Sequence, residues 1–124
     1  MIVNVDDEYG VRLDDELTGR MLTYGFSERA EFRPTEWEMD ISGTNLQLPF
    51  GELRSPLIGD YNALNALCAA ARAWSCGVGD TDIRKAIEQF EGVPGRLERV
   101  PAEHDLNVFV DYAHTGDALL NVAR

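Results

Sequence analysis

The alternation of apolar and polar positions at the start of the chain predicts a strand followed by a helix. Apolar residues dominate positions 1–5, a run of strand length. Asp6 and Asp7 come next, and acidic residues suit the first turn of a helix because of the helix dipole. We interpret them as helix-opening residues rather than ligand contacts. The pattern therefore predicts a strand, a helix that ends near Leu17, and an α/β fold.

Alternation with a period of two in the middle of the chain predicts an antiparallel hairpin. Apolar and polar side chains alternate on both sides of a turn-type sequence at 42–44. Residues 31–54 should therefore form two strands, and Pro49, which has no amide donor, should restrict the second strand to an edge. Trp37 and Trp74 are expected in the core or at an interface between domains.

A change to helical spacing after Tyr61 predicts two helices. Apolar residues recur every three or four positions in an alanine-rich stretch that ends at Gly77. A second helix should have Asp80 or Thr81 as its cap and should stop at Gly92. The apolar positions expected to form its buried face are Ile83, Ala86, Ile87 and Phe90.

The last apolar run of the chain predicts a strand whose end carries polar residues. Residues 108–110 are apolar on both faces, which is typical of a strand covered by helices in a parallel sheet. Asp111 and His114 follow, at the end where open α/β sheets gather ligand-binding side chains. A further helix is expected from Asp117, and His104, in a polar loop, should face solvent.

Composition excludes several classes of function. The chain has 124 residues, enough for about one domain, and a formal net charge of −11. That charge argues against broad binding to nucleic acid or anionic lipid. No apolar run reaches the roughly 20 residues of a membrane span. Cys68 and Cys76 are too few for a secreted disulfide framework, so we expect two reduced thiols and a cytoplasmic location. From the charge and the short apolar runs we expect no nucleic-acid partner and no membrane span.

Three short polar segments are candidate binding sites. Asn62 and Asn65 are three residues apart on one helix face, and carboxamides can both donate to and accept from a purine edge, although asparagine here also suits a helix cap. Arg96 lies in a turn, where its planar donors suit a phosphate or ribose oxygen or simply face solvent. Asp111 suits ribose hydroxyls and His114 can donate to a ligand, unless both belong to an ordinary loop that leads into a helix.

Taken together, in this order and spacing, these segments resemble the Mur ligases, and specifically the MurE type (UDP-N-acetylmuramoyl-tripeptide synthetase). One departure is that Gly116 stands where the family usually has proline, which should loosen the loop. The stretches that carry the resemblance are NVDDEYG at 4–10, GDYNALNALCAAARA at 59–73, VPGRLE at 93–98 and VFVDYAHTGDAL at 108–119.

The resemblance implies an activity and a set of nucleotide-binding residues. In this family ATP, with Mg²⁺, phosphorylates a carboxylate of a UDP-muramoyl peptide, and the amine of the incoming amino acid attacks the acyl phosphate. The MurE type adds diaminopimelate or lysine to UDP-N-acetylmuramoyl-L-alanyl-D-glutamate in peptidoglycan biosynthesis, and so serves cell shape and division. Asn62 and Asn65 would lie by the adenine, and Arg96 and Asp111 would lie near the ribose. His114 would belong to the same wall of a nucleotide site between two domains.

The resemblance also implies that the chain is part of a larger enzyme. Residues 1–93 would be the C-terminal part of the central ATP-binding domain, made of a strand, helices and a small antiparallel hairpin. Residues 94–124 would be the first strand and the start of a helix of a Rossmann-like C-terminal domain. The single lysine, Lys85, lies in a predicted helix, and no phosphate-binding Gly-x-x-x-x-Gly-Lys-Ser/Thr loop is present. We therefore expect no catalytic residue and no metal ligand in these residues, no activity of the chain alone, and Met1 to be an added or internal methionine.

Other readings remain open. Cyanophycin synthetase and folylpolyglutamate synthetase share the ATP-dependent amide-ligase chemistry and parts of these motifs. A different class of function is a complete, non-catalytic binding module derived from a ligase.

Overall fold

The computed structural model describes residues 1–102 and 106–122 of the chain, and within them it has seven strands and four helices. His104 lies outside the described residues. The strands are β1 (Ile2–Asn4), β2 (Leu22–Tyr24), β3 (Glu36–Asp40), β4 (Gly43–Leu48), β5 (Gly51–Ser55), β6 (Glu98–Val100) and β7 (Val108–Val110). The helices are α1 (Glu8–Glu16), α2 (Asp60–Ser75), α3 (Asp80–Glu88) and α4 (Gly116–Val122).

The first strand and helix form as predicted, and a second strand completes a parallel pair. β1 and β2 pair in parallel, with Ile2 opposite Leu22. Asp7 is the N-cap of α1, and its carboxylate accepts hydrogen bonds from the amides of Tyr9 and Gly10. The helix-opening interpretation of this residue is therefore confirmed. β2 was not predicted, because its sequence, Leu-Thr-Tyr, shows neither an apolar run like that of positions 1–5 nor an alternation long enough to indicate a strand.

Asp6 links the ends of the two parallel strands. Its carboxylate accepts hydrogen bonds from the amides of Phe26 at 2.7 Å and Ser27 at 2.9 Å. Gly25, with a φ of 156°, makes this approach possible, since a Cβ atom there would lie 2.5 Å from the Asp6 carboxylate. Asp6 therefore joins the end of β1 to the loop after β2, which differs from the helix-opening role expected for it.

The middle of the chain forms a three-stranded antiparallel sheet with β4 at its centre. β3 and β4 form the predicted antiparallel hairpin, but β5 pairs with the other side of β4, so the prediction that Pro49 restricts the second strand to an edge is wrong. Pro49 lies in the turn between β4 and β5, so it removes no hydrogen bond from the sheet. Gly51, with a φ of 115°, allows the tight turn into β5.

The core forms where this sheet meets α2 and α3. It is made of Phe32, Leu46, Leu48, Leu53, Leu67, Ala70, Ala71 and Ile83. The two tryptophans lie at its edge: Trp74 packs against Phe32 and Trp37 against Phe26, and each indole remains about half exposed, at 47% and 49%. Neither tryptophan is therefore in the core, and their expected place at a domain interface stays a prediction.

α2 forms as predicted, whereas α3 differs in its cap and its buried face. Gly79 is the N-cap of α3, in place of Asp80 or Thr81. Ile83 is buried as predicted, but Ala86 and Phe90 are exposed. Phe90 lies beyond the end of the helix, where the helical period no longer decides which way a residue faces. Both cysteines carry free thiols, Cys68 partly buried and Cys76 exposed.

β7 pairs with β6 in an antiparallel hairpin, so the prediction of a parallel strand covered on both faces does not hold for the described residues. Val108 and Val110 are 40% and 48% exposed. An apolar run indicates what a strand could bury, but it does not determine the direction of its partner. No helix in the described part of the chain is both long and apolar enough to cross a membrane.

Candidate functional site

A cleft of about 310 Å³ lies between the first turns of α2 and the segments that flank the β6–β7 hairpin. Its volume is at the lower end of the range typical of small-molecule sites. Four of the five predicted site residues line it: Asn62, Asn65, Arg96 and Asp111. Residues that are far apart in the sequence therefore meet around one space.

The start of α2 directs the two asparagines toward this cleft. Gly59 is the N-cap of α2 and makes no side-chain hydrogen bond, so neither asparagine caps the helix. The Asn62 amide group donates to the carbonyl oxygen of Ile58 at 2.9 Å, which leaves its own carbonyl oxygen available to a ligand. Asn65 is exposed, and its side chain forms no hydrogen bond with the described residues. The amide group of Asn65 can therefore both donate and accept.

Arg96 extends from a short hydrogen-bonded turn. Its backbone amide donates to the carbonyl oxygen of Val93 at 3.0 Å, and the amide of Gly95 donates to a carboxylate oxygen of Glu98 at 2.8 Å. These bonds organise the turn while the guanidinium remains exposed. Arg96 is the only cation among the described residues that line the cleft.

Both carboxylate oxygens of Asp111 accept hydrogen bonds from backbone amides. Oδ2 accepts from Leu97 at 2.8 Å, and Oδ1 accepts from Ala113 at 2.7 Å. A third bond, from the amide of Tyr112 to the carbonyl oxygen of Gly95 at 2.8 Å, joins the same two segments. A carboxylate offers about four lone-pair directions, so Asp111 retains capacity for a ligand hydroxyl.

His114 does not line the cleft. Its Nδ1 lies 2.9 Å from the carbonyl oxygen of Tyr112, and the two rings meet edge to face with centroids 5.2 Å apart. Its imidazole is exposed, on the loop that leads into α4. A direct contact between His114 and a ligand therefore stays a prediction.

Seven of the residues that line the cleft were not predicted as site residues, and Tyr61 and Leu97 are two of them. Tyr61 is 59% exposed beside the asparagines, and Leu97 follows Arg96 in the turn before β6. An aromatic residue in the first turn of the helix was a possible signal for Tyr61. No periodic pattern identifies Leu97, because it lies in an irregular segment between two charged residues.

The described residues do not fit the magnesium ion that the resemblance implies. No three His, Cys, Asp or Glu side chains within residues 1–102 and 106–122 form a group that could hold a metal ion. Among the described residues that line the cleft, the carboxylates are Asp60 and Asp111, and both oxygens of Asp111 already accept amide hydrogen bonds. We therefore derive no step through a metal.

Comparison with known proteins agrees with the sequence motifs. The Mur ligase middle domain family matches residues 1–73. A UDP-N-acetylmuramoyl-L-alanyl-D-glutamate–2,6-diaminopimelate ligase of Geobacter metallireducens is 43% identical over 128 aligned residues, which cover 99% of this chain and 25% of that protein. The chain thus spans about a quarter of the length of this relative.

Solved structures support the same relationship. MurF from Acinetobacter baumannii superposes with a TM-score of 0.81 at 28% identity, over 98% of this chain and 28% of that one. Folylpolyglutamate synthase of Mycobacterium tuberculosis, solved with ADP and AMPPCP, gives a TM-score of 0.60 at 27% identity, over 91% of this chain and 25% of that one. The resemblance to the MurE type is confirmed by the diaminopimelate-ligase relative. The Mur ligase middle domain family matches more than half of the 124 residues of this chain, and the chain therefore belongs to the Mur ligase family.

Proposed function

We propose that these residues form a nucleotide-binding part of an ATP-dependent amide-bond ligase of the MurE type. The enzyme would add diaminopimelate or lysine to UDP-N-acetylmuramoyl-L-alanyl-D-glutamate in peptidoglycan biosynthesis. The observation that carries the proposal is the convergence of Asn62, Asn65, Arg96 and Asp111 on one cleft. The diaminopimelate-ligase relative supports the choice of substrate class.

The groups around the cleft suit the parts of ATP. The available carbonyl oxygen of Asn62 and the amide of Asn65 can pair with the donor and acceptor atoms of an adenine edge. Arg96 can donate to a ribose or phosphate oxygen, and the remaining lone pairs of Asp111 can accept from a ribose hydroxyl. Hydrogen bonds that involve a charged group contribute about 1.5–3 kcal/mol each, so these contacts would account for a substantial part of nucleotide affinity.

We propose that the cleft lies at a junction between two domains of a longer protein. Residues 1–93 would belong to the central domain and residues 94–124 to the C-terminal domain. We refer to the polypeptide that contains these 124 residues and has the length of the relatives as the full-length protein, and we place it in the cytoplasm. Its phosphate-binding loop would lie outside these residues, because the 124-residue sequence contains no such loop. The resemblance to the family implies the same for its metal ligands and its amino-acid site.

The proposal is tested by assaying amide-bond formation. The full-length protein, supplied with ATP, Mg²⁺, UDP-N-acetylmuramoyl-L-alanyl-D-glutamate and either diaminopimelate or lysine, should form tripeptide product, ADP and inorganic phosphate. The 124-residue chain alone should form none. A full-length protein that forms no product with either amino acid, or a chain that turns over by itself, would contradict the proposal.

A non-catalytic binding module is the second candidate, because both walls of the cleft lie within the chain. Calorimetry with ATP and the 124-residue chain separates the two. Micromolar binding that Arg96→Ala abolishes would favour the module. Weak or absent binding is expected for a ligase segment whose phosphate-binding loop lies elsewhere.

A further inference from the structure

We propose that Asp111 is a positioning residue that holds Leu97 in a left-handed backbone conformation, so that the Leu97 side chain forms an apolar wall of the cleft against the face of the bound base. The inference rests on the proposed function and adds two roles to it. Leu97 becomes a specificity-determining contact, and Asp111 acts on the nucleotide through Leu97 in addition to the ribose contact proposed above.

The backbone of Leu97 is the first observation. Its φ is 46°, and it is the only residue other than glycine with a positive φ in the described part of the chain. The left-handed region is unfavourable for a residue with a Cβ atom, and glycine or asparagine normally occupies it. A leucine there requires a contact that compensates for the conformation, because strained backbone persists only where the surrounding structure holds it.

Asp111 supplies that contact. Its Oδ2 accepts the hydrogen bond from the Leu97 amide at 2.8 Å, and its Oδ1 is anchored by the amide of Ala113. The attachment of the two segments does not depend on this carboxylate alone, because the amide of Tyr112 also donates to the carbonyl oxygen of Gly95 and β6 pairs with β7. The bond from Asp111 therefore acts on the conformation at Leu97 rather than on the docking of the segments.

The conformation places the Leu97 side chain where a base would bind. Leu97 is partly buried and lines both the 310 Å³ cleft and an adjoining cleft of about 500 Å³. Its Cδ1 lies 3.4 Å from the point that a Cβ atom on Gly59 would occupy, so it sits against the N-cap of α2. The asparagines begin one turn further along that helix. A planar base that pairs with their amides by its edge would meet the leucine with its face.

Two substitutions and their combination test the inference in the full-length protein. Asp111→Asn leaves an amide donor facing one of the two backbone N–H groups, whichever way the new side chain is turned. Leu97→Gly removes the apolar wall but adopts a positive φ without assistance. Leu97→Met is the control that keeps an apolar side chain. The measurements are KM and kcat for ATP and for 2′,3′-dideoxy-ATP.

We expect Asp111→Asn to raise the KM for ATP about tenfold with kcat within about twofold, because it weakens both the apolar wall at Leu97 and the contact with the ribose hydroxyl. Leu97→Gly should raise it about fivefold, and Leu97→Met less than about twofold. In the Leu97→Gly background, Asp111→Asn should raise the KM for ATP by a further factor of less than about three, because glycine adopts the positive φ without the hydrogen bond from Asp111. With the dideoxy analogue, which lacks the ribose hydroxyls, Asp111→Asn should still raise the KM about fivefold, because this part of its effect acts through Leu97.

A second measurement does not depend on activity. Hydrogen–deuterium exchange of residues 95–100 in the nucleotide-free full-length protein should be faster in Asp111→Asn, because the Leu97 amide loses its acceptor. Unchanged exchange would overturn the inference. So would multiplicative effects of Asp111→Asn and Leu97→Gly on the KM for ATP, or an Asp111→Asn effect that vanishes with the dideoxy analogue, since both describe a residue that acts only as a ribose ligand. If the unsubstituted full-length protein binds no ATP, the proposed function fails together with the inference.

Discussion

Replacing each asparagine of the cleft by alanine should separate ligand binding from helix stability. The two side chains lie on the same face of α2, but only Asn62 has a partner within the described residues, the carbonyl oxygen of Ile58. Asn65 is exposed, and its side chain forms no hydrogen bond with the described residues. Asn65→Ala therefore removes a group available to a ligand, whereas Asn62→Ala also removes an internal hydrogen bond.

The magnitudes follow from these contacts. Loss of the Asn62 hydrogen bond costs about 0.5–1.5 kcal/mol, partly offset by the better helix propensity of alanine, which is worth roughly 0.5 kcal/mol. The free energy of unfolding should therefore fall by about 1 kcal/mol or less in Asn62→Ala. In Asn65→Ala it should change by no more than about 0.5 kcal/mol, as for an ordinary surface substitution. Each variant should lose about 1 kcal/mol of ATP binding, equivalent to an approximately fivefold rise in KM.

Urea unfolding and steady-state kinetics of the full-length protein measure these two effects separately. The KM for ATP should rise in both variants, while the KM values for the muramoyl peptide and the amino acid stay within about twofold. An unchanged ATP KM in Asn65→Ala would refute the assignment of this residue to the nucleotide cleft. A loss of stability in Asn65→Ala larger than that in Asn62→Ala would refute the reasoning from hydrogen-bond partners.

Three further predictions concern the framework around the cleft. Gly10→Ala would place a Cβ atom 1.6 Å from a backbone oxygen of β1, so α1 must shift, and thermal unfolding should show a loss of about 3 kcal/mol or more. Gly25→Ala should be more destabilising than Gly19→Ala, because both have φ near 155° but only the former would approach another side chain; equal losses in thermal unfolding would contradict this. Hydrogen bonds from the Ser42 hydroxyl and amide lower the pKa of Asp40. Ser42→Ala should therefore raise that pKa toward its usual value in an NMR titration. The stabilisation that the lowered pKa provides should be present above about pH 4 and lost as the pH falls.

Features that depend on neighbours along the chain were predictable from the sequence. β1, α1 and α2 appear where the periods and capping residues indicated, because a strand run and a helical face each depend on residues within a few positions of one another. The spacing of Asn62 and Asn65 placed both on one face of α2 for the same reason. The order of the motifs was sufficient to identify the ligase family, which the match to its middle domain confirmed.

Only the tertiary structure decided which distant segments pair and what the polar side chains contact. The central position of β4 and the antiparallel partner of β7 depend on hydrogen bonds to other strands, which a local period does not encode. The sequence predicted that Asp111 contacts a ligand, and it could not show that both carboxylate oxygens accept hydrogen bonds from backbone amides. One of these amides belongs to Leu97, in a turn 14 positions earlier. The cleft itself exists because two segments far apart in sequence approach each other. Such an approach is set by packing and hydrogen bonds across the fold, and no window along the sequence contains both sides of it.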